Sequence, residues 1–276
     1  MTTQLSASIG FVGAGNMAAA LVTGMIDAGV VKPHQVALFD VAAEVSGALA
    51  ERTGARGVTD LAAVASCDIV VLAVKPQVIP AVLADLSPVL PAQPPLVVSI
   101  AAGTPLARLT ADLPAGMAVV RAMPNVNAMV GAGMTALCGN AAATAQQLAA
   151  AQQIFAAVGE TVVLAERDFG VFTAIAGSAP AFVFEFIDTL AAAAVAHGLP
   201  KSVALSIATQ TVLGSARTVA AGAAQQQTPA DLADLVSSPA GTTIAGRLAM
   251  ARAGFAPAIV AGVDAVVARD RELSGS

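Results

Sequence analysis

Short apolar runs, each closed by glycine, proline or a polar pair, recur through the first 165 positions. Residues 8–13 (Ser-Ile-Gly-Phe-Val-Gly) read as a strand buried on both faces, and an apolar helical stretch over 19–28 follows, stopping at Gly29. Further strands are predicted over 36–40, 67–74, 94–100, 118–122 and 159–164, each broken by turn-forming residues and separated by alanine-rich stretches. That alternation predicts an α/β fold, a doubly wound parallel sheet.

After residue 164 the β-type pattern stops. Residues 168–198, 200–222, 229–236 and 242–273 read as helical, with Gly177-Ser178-Ala179-Pro180 as a kink or interior break. The flank Ala181-Phe182-Val183-Phe184-Glu185-Phe186 is too apolar for a solvent face. A helix apolar nearly all round needs partners on every side. The boundaries expected are therefore 1–165 for a dinucleotide-binding domain and 166–276 for an all-helical substrate and dimerisation domain.

Composition narrows the partners. The chain has 276 residues, 57% hydrophobic and 11% charged, with net charge −5. No basic stripe exists to offset phosphate charge, which argues against nucleic acid and an anionic membrane surface. The most apolar window, 171–190, contains Pro180, Glu185 and Asp188, so the expectation is a core helix and no membrane span. Residues 1–8 lack Lys and Arg, so no signal peptide is expected. Cys67 and Cys138 read as reduced, buried thiols of a cytoplasmic protein. With His34 and His197 they are scattered without ligand spacing, so no metal site is expected. The chain lacks Tyr and Trp, which excludes a tyrosine-dependent reductase and leaves the chemistry to backbone groups, hydroxyls and a cofactor.

Gly13-Ala14-Gly15-Asn16-Met17-Ala18 is a G-x-G-x-x-A motif between a strand and a helix, the context that a Rossmann-type dinucleotide site requires. Gly13 permits the tight turn, Gly15 lets pyrophosphate approach the backbone, and Ala18 allows close helix–strand packing. Asp40, ending the next strand, stands where an acid binds the adenosine ribose hydroxyls and repels a 2′-phosphate, which favours NADH; Arg52 and Arg56 are the cations that could fold back. Lys75 with Pro76, Ala101 with Ala102, and Asn125 gather at the carboxyl edge, where ligands of such sheets bind. Lys75 reads better as a hydrogen-bonding cation than as a catalytic lysine, and Pro76 sets the turn. Glu185 and Asp188 read as a polar stripe, and His197 as a helix C-terminus.

A second small polar loop, Ser237-Ser238-Pro239-Ala240-Gly241-Thr242-Thr243, lies late in the chain. Residues 239–241 make a turn, and Thr242 or Thr243 is expected to cap the helix that follows. Two readings stay open for this segment alone: a capped helix start, or a carboxylate site using the first-turn N–H groups.

Several motifs together resemble one family. Ile9 to Met17, Ala73-Val74-Lys75-Pro76-Gln77, Ser99-Ile100-Ala101-Ala102-Gly103, Arg121-Ala122-Met123-Pro124-Asn125, Gly177-Ser178-Ala179-Pro180-Ala181 and Ser238 to Ile244 look, in order, like pyrroline-5-carboxylate reductase. The last is the specific signature; the first is shared with many dehydrogenases. The resemblance implies reduction of the cyclic imine to L-proline with NADPH or NADH, and interlocked helical homodimers that assemble into a higher homo-oligomer in some members. It implies cofactor contacts from Gly13, Ala14, Gly15, Asn16, Met17, Asp40, Ala73, Val74, Lys75, Pro76, Ile100, Ala101, Ala102 and Asn125. It further implies that Gly241, Thr242 and Thr243 hold the substrate carboxylate, that the Thr243 hydroxyl reaches the ring nitrogen, and that Gly177, Ser178 and Pro180 form the floor.

The chain departs from the family pattern at several places. Ala240 replaces a glycine, Val126-Asn127 replaces Thr-Pro, and Phe182 stands where Tyr is usual. Gln225-Gln226-Gln227 occupies a segment that often carries an acid, and Asp60 stands where an Asn often contacts the adenosine end. Many relatives use NADPH, so the resemblance leaves cofactor preference open beside Asp40. A different imine or 3-hydroxyacid dehydrogenase of similar build, and a non-catalytic NAD(P)-binding regulator, remain the alternatives.

Overall fold

The computed structural model describes residues 4–274; residues 1–3 and 275–276 lie outside the described residues. Eight strands form one sheet: β1 (Ile9–Val12), β2 (Val36–Phe39), β3 (Arg56–Gly57), β4 (Ile69–Leu72), β5 (Leu96–Ser99), β6 (Val119–Met123), β7 (Gly133–Gly139) and β8 (Gly159–Val163). Their spatial order is β3-β2-β1-β4-β5-β6-β7-β8. The order reverses between β1 and β4, which run parallel and start in register at Ile9 and Ile69. A crevice at such a reversal is where dinucleotides bind.

The doubly wound parallel sheet expected from the sequence is present, with one antiparallel pair in it. β7 runs antiparallel to β6, with Arg121 opposite Cys138, and β8 returns parallel to β7. Neither β7 nor the two-residue β3 was anticipated from the sequence.

The helices of this part are α1 (Asn16–Asp27), α2 (Ala43–Thr53), α3 (Leu61–Ala65), α4 (Ile79–Leu86), α5 (Leu106–Ala111), α6 (Ala145–Ala156) and α7 (Phe169–Phe172). They cover both sheet faces. Phe11, Val71 and Val98 point into one core with Leu21, Met25 and Phe155. Val70, Leu72 and Val97 alternate into the other, with Leu83, Leu109 and Phe169. Strands buried on both faces need unbroken apolar runs, the pattern read from the sequence. Each large side chain removed from water in this way contributes about 1.5–3 kcal/mol. Cys67 and Cys138 are free and buried. Burial is the main cause that pushes the Cys138 thiol up to about 11, with Glu166 adding to it and Arg121 opposing.

The remaining helices are α8 (Ala179–Ala196), α9 (Lys201–Ala223), α10 (Pro229–Leu235), α11 (Thr242–Arg252) and α12 (Phe255–Ser274). The segment expected to be one helix over 242–273 is two, separated at Ala253 and Gly254, the latter with φ +84°. By contact density, residues up to Gly177 and those from Val266 onward form one compact unit, and Ser178–Ala265 forms the other. Within the second, α8 and α9 meet through small residues: Ala191, Ala204 and Ala208 are its buried core.

Pro180 does not break the helical path. A π-helical segment, Thr173–Ser178, widens the turn just before it, so helical geometry runs from Glu166 to Ala196. By length and composition alone this run is long and apolar enough to cross a membrane, a property that core helices of soluble proteins share, and its most apolar window is 22% buried. The helix survives Pro180 for a geometric reason: the wider turn accommodates the imino acid where a regular helix would clash.

Candidate functional site

The glycine-rich turn follows from sterics. Gly13 has φ +97°, and a Cβ there would lie 2.5 Å from the Ala73 carbonyl oxygen. Its own N–H donates to the Phe39 carbonyl at 2.8 Å, which ties the turn to the end of β2. At Gly15 a Cβ would meet no atom within 4 Å, so the space above the helix start is open. Gly15 is the N-cap of α1, with no side-chain cap and no acid in the first turn. The first-turn N–H groups of Asn16, Met17 and Ala18 therefore face outward at the positive end of the helix dipole. These residues fit a pyrophosphate.

Asp40 closes the other wall. The Ala14 N–H donates to its Oδ2 at 2.8 Å and the Ala42 N–H to its Oδ1 at 3.0 Å. A cleft of about 440 Å³ opens here, lined by Gly13, Asp40, Val41, Val74, Val78 and Asp85 among others. A second cleft of about 460 Å³ lies at the carboxyl ends of β4 and β5, lined by Pro76, Ala102, Thr104, Arg108, Thr173 and Asp270 among others. The backbone between the two clefts is shaped by Ser99, whose buried hydroxyl accepts from the Ala101 N–H at 3.2 Å. Expected cofactor residues thus cluster at one sheet edge: Gly13 to Met17, Asp40, Ala73 to Pro76, and Ile100 to Ala102. Ser99 was not among them; as the last residue of β5 it stands where a hydroxyl can accept from the turn that follows.

Asn125 was expected among the cofactor contacts, and its side chain is engaged by the protein itself. Only 6% exposed, it donates from Nδ2 to the Ala176 carbonyl at 2.9 Å and accepts at Oδ1 from the Met134 N–H at 3.1 Å. The partner explains the choice. Ala176 lies four residues before Pro180, which has no N–H to give it. Asn125 supplies a donor to that carbonyl, steadying the π-helical turn that holds Gly177 and Ser178. Against that turn, a Cβ at Gly177 would come to 3.3 Å from Met123 Cε. Asp60, another departure from the family pattern, caps α3 by accepting from the Ala62 N–H at 2.9 Å.

Arg121 is a further site-adjacent residue that the sequence did not single out. Its guanidinium is buried, pairs with Glu166 at 3.0 Å and stacks 4.5 Å from the Phe169 ring centroid. Glu166 also accepts from the Leu106 N–H. The pair fixes β6, α5 and the approach to α7 relative to each other.

The late loop lies in the second unit. Gly241, rather than either threonine, is the N-cap of α11, and it makes no side-chain cap. Thr242 and Thr243 occupy the first helical turn and are exposed, which corrects the expectation that one of them caps the helix. A Cβ on Gly241 would meet Ser238 Oγ, which would have to turn aside, and would press on the Ser238 carbonyl oxygen at 3.1 Å. Ala240 adopts φ +55°, the left-handed region, a conformation that costs an alanine of order 1 kcal/mol. The turn is closed by the Gly241 N–H donating to the Ser238 carbonyl at 3.0 Å. Arg247, one turn into α11, braces it: its Nη1 donates to Asp234 Oδ1 at 3.0 Å and to Ser237 Oγ at 2.9 Å. The result is a helix start with uncapped N–H groups and two exposed hydroxyls, an anion site in form.

Comparisons with known proteins agree along the whole chain. Residues 166–273 match the family model described as pyrroline-5-carboxylate reductase dimerisation, and residues 8–103 match NADP oxidoreductase coenzyme F420-dependent. The pyrroline-5-carboxylate reductase of Methanosarcina acetivorans is 40% identical over 96% of this chain and 97% of its own. The structure of a pyrroline-5-carboxylate reductase from Coxiella burnetii superposes with TM-score 0.92 at 32% identity, covering 98% of this chain and 99% of that one. The Plasmodium falciparum pyrroline carboxylate reductase, solved with NADP bound, gives TM-score 0.85 at 26% identity, over 99% and 100% of the two chains.

Proposed function

The chain belongs to the pyrroline-5-carboxylate reductase family, and from that premise we propose how its residues carry the reaction. It is an oxidoreductase that reduces 1-pyrroline-5-carboxylate to L-proline with NAD(P)H. The nicotinamide, when bound, supplies the hydride for the imine carbon.

The start of α11 is the observation that carries the substrate assignment. The N–H groups around Thr242 and Thr243 have no side-chain cap and no acid in their first turn, so they bind the substrate carboxylate by charge-assisted hydrogen bonds. Thr243 is assigned to the ring nitrogen. A threonine hydroxyl is too weak an acid to be matched to proton transfer near neutral pH, so it orients and hydrogen-bonds the imine while protonation comes from solvent or precedes binding. Most of the acceleration is then positioning. Gly177, Ser178 and Pro180 supply a floor with little bulk. At the other end, Gly13 to Met17 hold the pyrophosphate, and Ala73 to Pro76 with Ile100 to Ala102 hold the nicotinamide half.

The working unit proposed is a cytoplasmic homodimer formed through the helical segment, with further assembly left to measurement. Support comes from the dimerisation family match and from the apolar side chains that α8, α9 and α12 leave exposed.

Oxidation of NADH and of NADPH in the presence of pyrroline-5-carboxylate tests the reaction, and turnover with neither cofactor overturns it. Thr243→Ala is expected to lower kcat/KM for the imine at least tenfold with cofactor Kd unchanged. A value within twofold of the parent removes Thr243 from its assigned role.

A further inference from the structure

We infer that this chain selects NADH over NADPH, and that Asp40 is the residue that makes the selection. The inference rests on the dinucleotide-cradle reading of the Gly13–Ala18 turn.

The carboxylate is fixed rather than mobile. One oxygen accepts from the Ala14 N–H of the phosphate turn and the other from the Ala42 N–H just before α2. Both bonds orient the group at the carboxyl end of β2, where this fold class seats the adenosine ribose. Each oxygen keeps lone-pair capacity to accept from a ribose hydroxyl. A 2′-phosphate can donate nothing comparable and brings up to two negative charges to the same place.

Compensation is missing around it. The walls of the adenosine-side cleft carry two carboxylates, Asp40 and Asp85, and no cation. The three residues after Asp40, where a 2′-phosphate would need its partners, are Val41, Ala42 and Ala43, without charge or hydroxyl. Val41 is 96% exposed, and its apolar side chain offers a hydrogen bond to no phosphate oxygen. Glu44 occupies the first turn of α2, the helix that follows Asp40, and its charge opposes an anion there.

The two arginines that could have reached back point elsewhere. Arg56 donates from Nε to the His34 carbonyl at 3.0 Å, before the amino end of β2 and therefore at the opposite end of that strand from Asp40. Arg52 lies in the last turn of α2, while Asp40 and Ala42 flank its first. It lines a different groove, with Asp27 and Met129.

The test is direct binding, read from nucleotide fluorescence without the imine, together with steady-state kinetics. The parent protein is expected to bind NADH at least tenfold more tightly than NADPH, with the same preference in kcat/KM. Asp40→Ser should narrow or reverse the ratio by at least tenfold, mainly by improving NADPH. Val41→Arg, with Asp40 retained, should narrow the NADH-to-NADPH ratio several-fold by improving NADPH. If Asp40→Ser fails to fold, Asp40→Asn, isosteric and still able to accept one N–H, carries the measurement. Equal or tighter NADPH binding by the parent overturns the inference, as does a ratio that neutralising Asp40 leaves unmoved. Absence of turnover with pyrroline-5-carboxylate would sink the reaction instead, since the binding ratio is read without it.

Discussion

Asn125 shows how a residue placed for one role can also carry a structural one. Its position at the carboxyl end of β6 suggests a ligand contact, yet both ends of its amide bond the protein. Asn125→Ala should therefore cost about 1–3 kcal/mol of stability, the usual range for unsatisfied buried groups. It should also lower kcat more than it raises the KM for NAD(P)H, because the π-helical turn loosens while the cofactor cradle stays intact. Thermal or urea unfolding, alongside kinetics with each substrate varied, checks both. A raised cofactor KM with unchanged stability would return Asn125 to ligand duty. The type and place of this residue were legible in the sequence, but its bonds within the protein were not. Nothing local to Met123-Pro124-Asn125 announces that a carbonyl 51 positions later faces a proline. The glycine-rich turn was legible to the residue, because its chemistry is local: Gly13 alone explains the tight turn and Gly15 the open approach.

At the scale of elements, the strands that were legible are those buried on both faces, whose apolar runs can hardly be anything else. β7 was missed for the complementary reason. Gly133-Met134-Thr135-Ala136-Leu137-Cys138-Gly139 has one β-branched residue and a glycine at each end, and so short an apolar run does not distinguish strand from helix. Its antiparallel pairing is settled by tertiary contacts, including the Asn125 bond to Met134. The start of β1 offers a pH test. The Ser8 hydroxyl and N–H both donate to Asp68 Oδ2 at 2.7 Å, clamping β1 to the segment before β4. Those bonds hold the Asp68 carboxyl below its ordinary value of 3.8. A depressed carboxyl contributes stability above its unfolded value, and the contribution fades as pH falls through the folded one. Ser8→Ala, which removes the hydroxyl bond, should be less stable than the parent at pH 7, and the difference should shrink below pH 4. Urea midpoints across that range measure it; a gap that stays constant with pH would remove Asp68 from the account.

For the whole molecule, the helical unit is organised outward. Its buried core is three alanines, while Phe184, Ile207 and Val260 are each more than half exposed. Alanines let α8 and α9 approach closely and leave the larger side chains free for a partner surface. A second copy of the chain is the partner implied by the dimerisation match. Sedimentation should find a homo-oligomer, and the unfolding temperature should rise with protein concentration. Phe184→Asp should shift the mass toward the monomer and lower that temperature; a dimer that survives it unaltered places the contact elsewhere. The sequence made the need for partners visible, because charge is too sparse on these helices to solvate them. It did not reveal which side chains α8 and α9 would turn toward each other.

One feature of the late loop sets folding against local preference. Ala240 holds a left-handed backbone that an alanine disfavours by about 1 kcal/mol relative to glycine. Packing elsewhere in the chain must therefore supply that energy to present the start of α11, beside the Arg247 bonds to Asp234 and Ser237. The turn is a wound spring in the folded chain, the place where relaxation would be felt first.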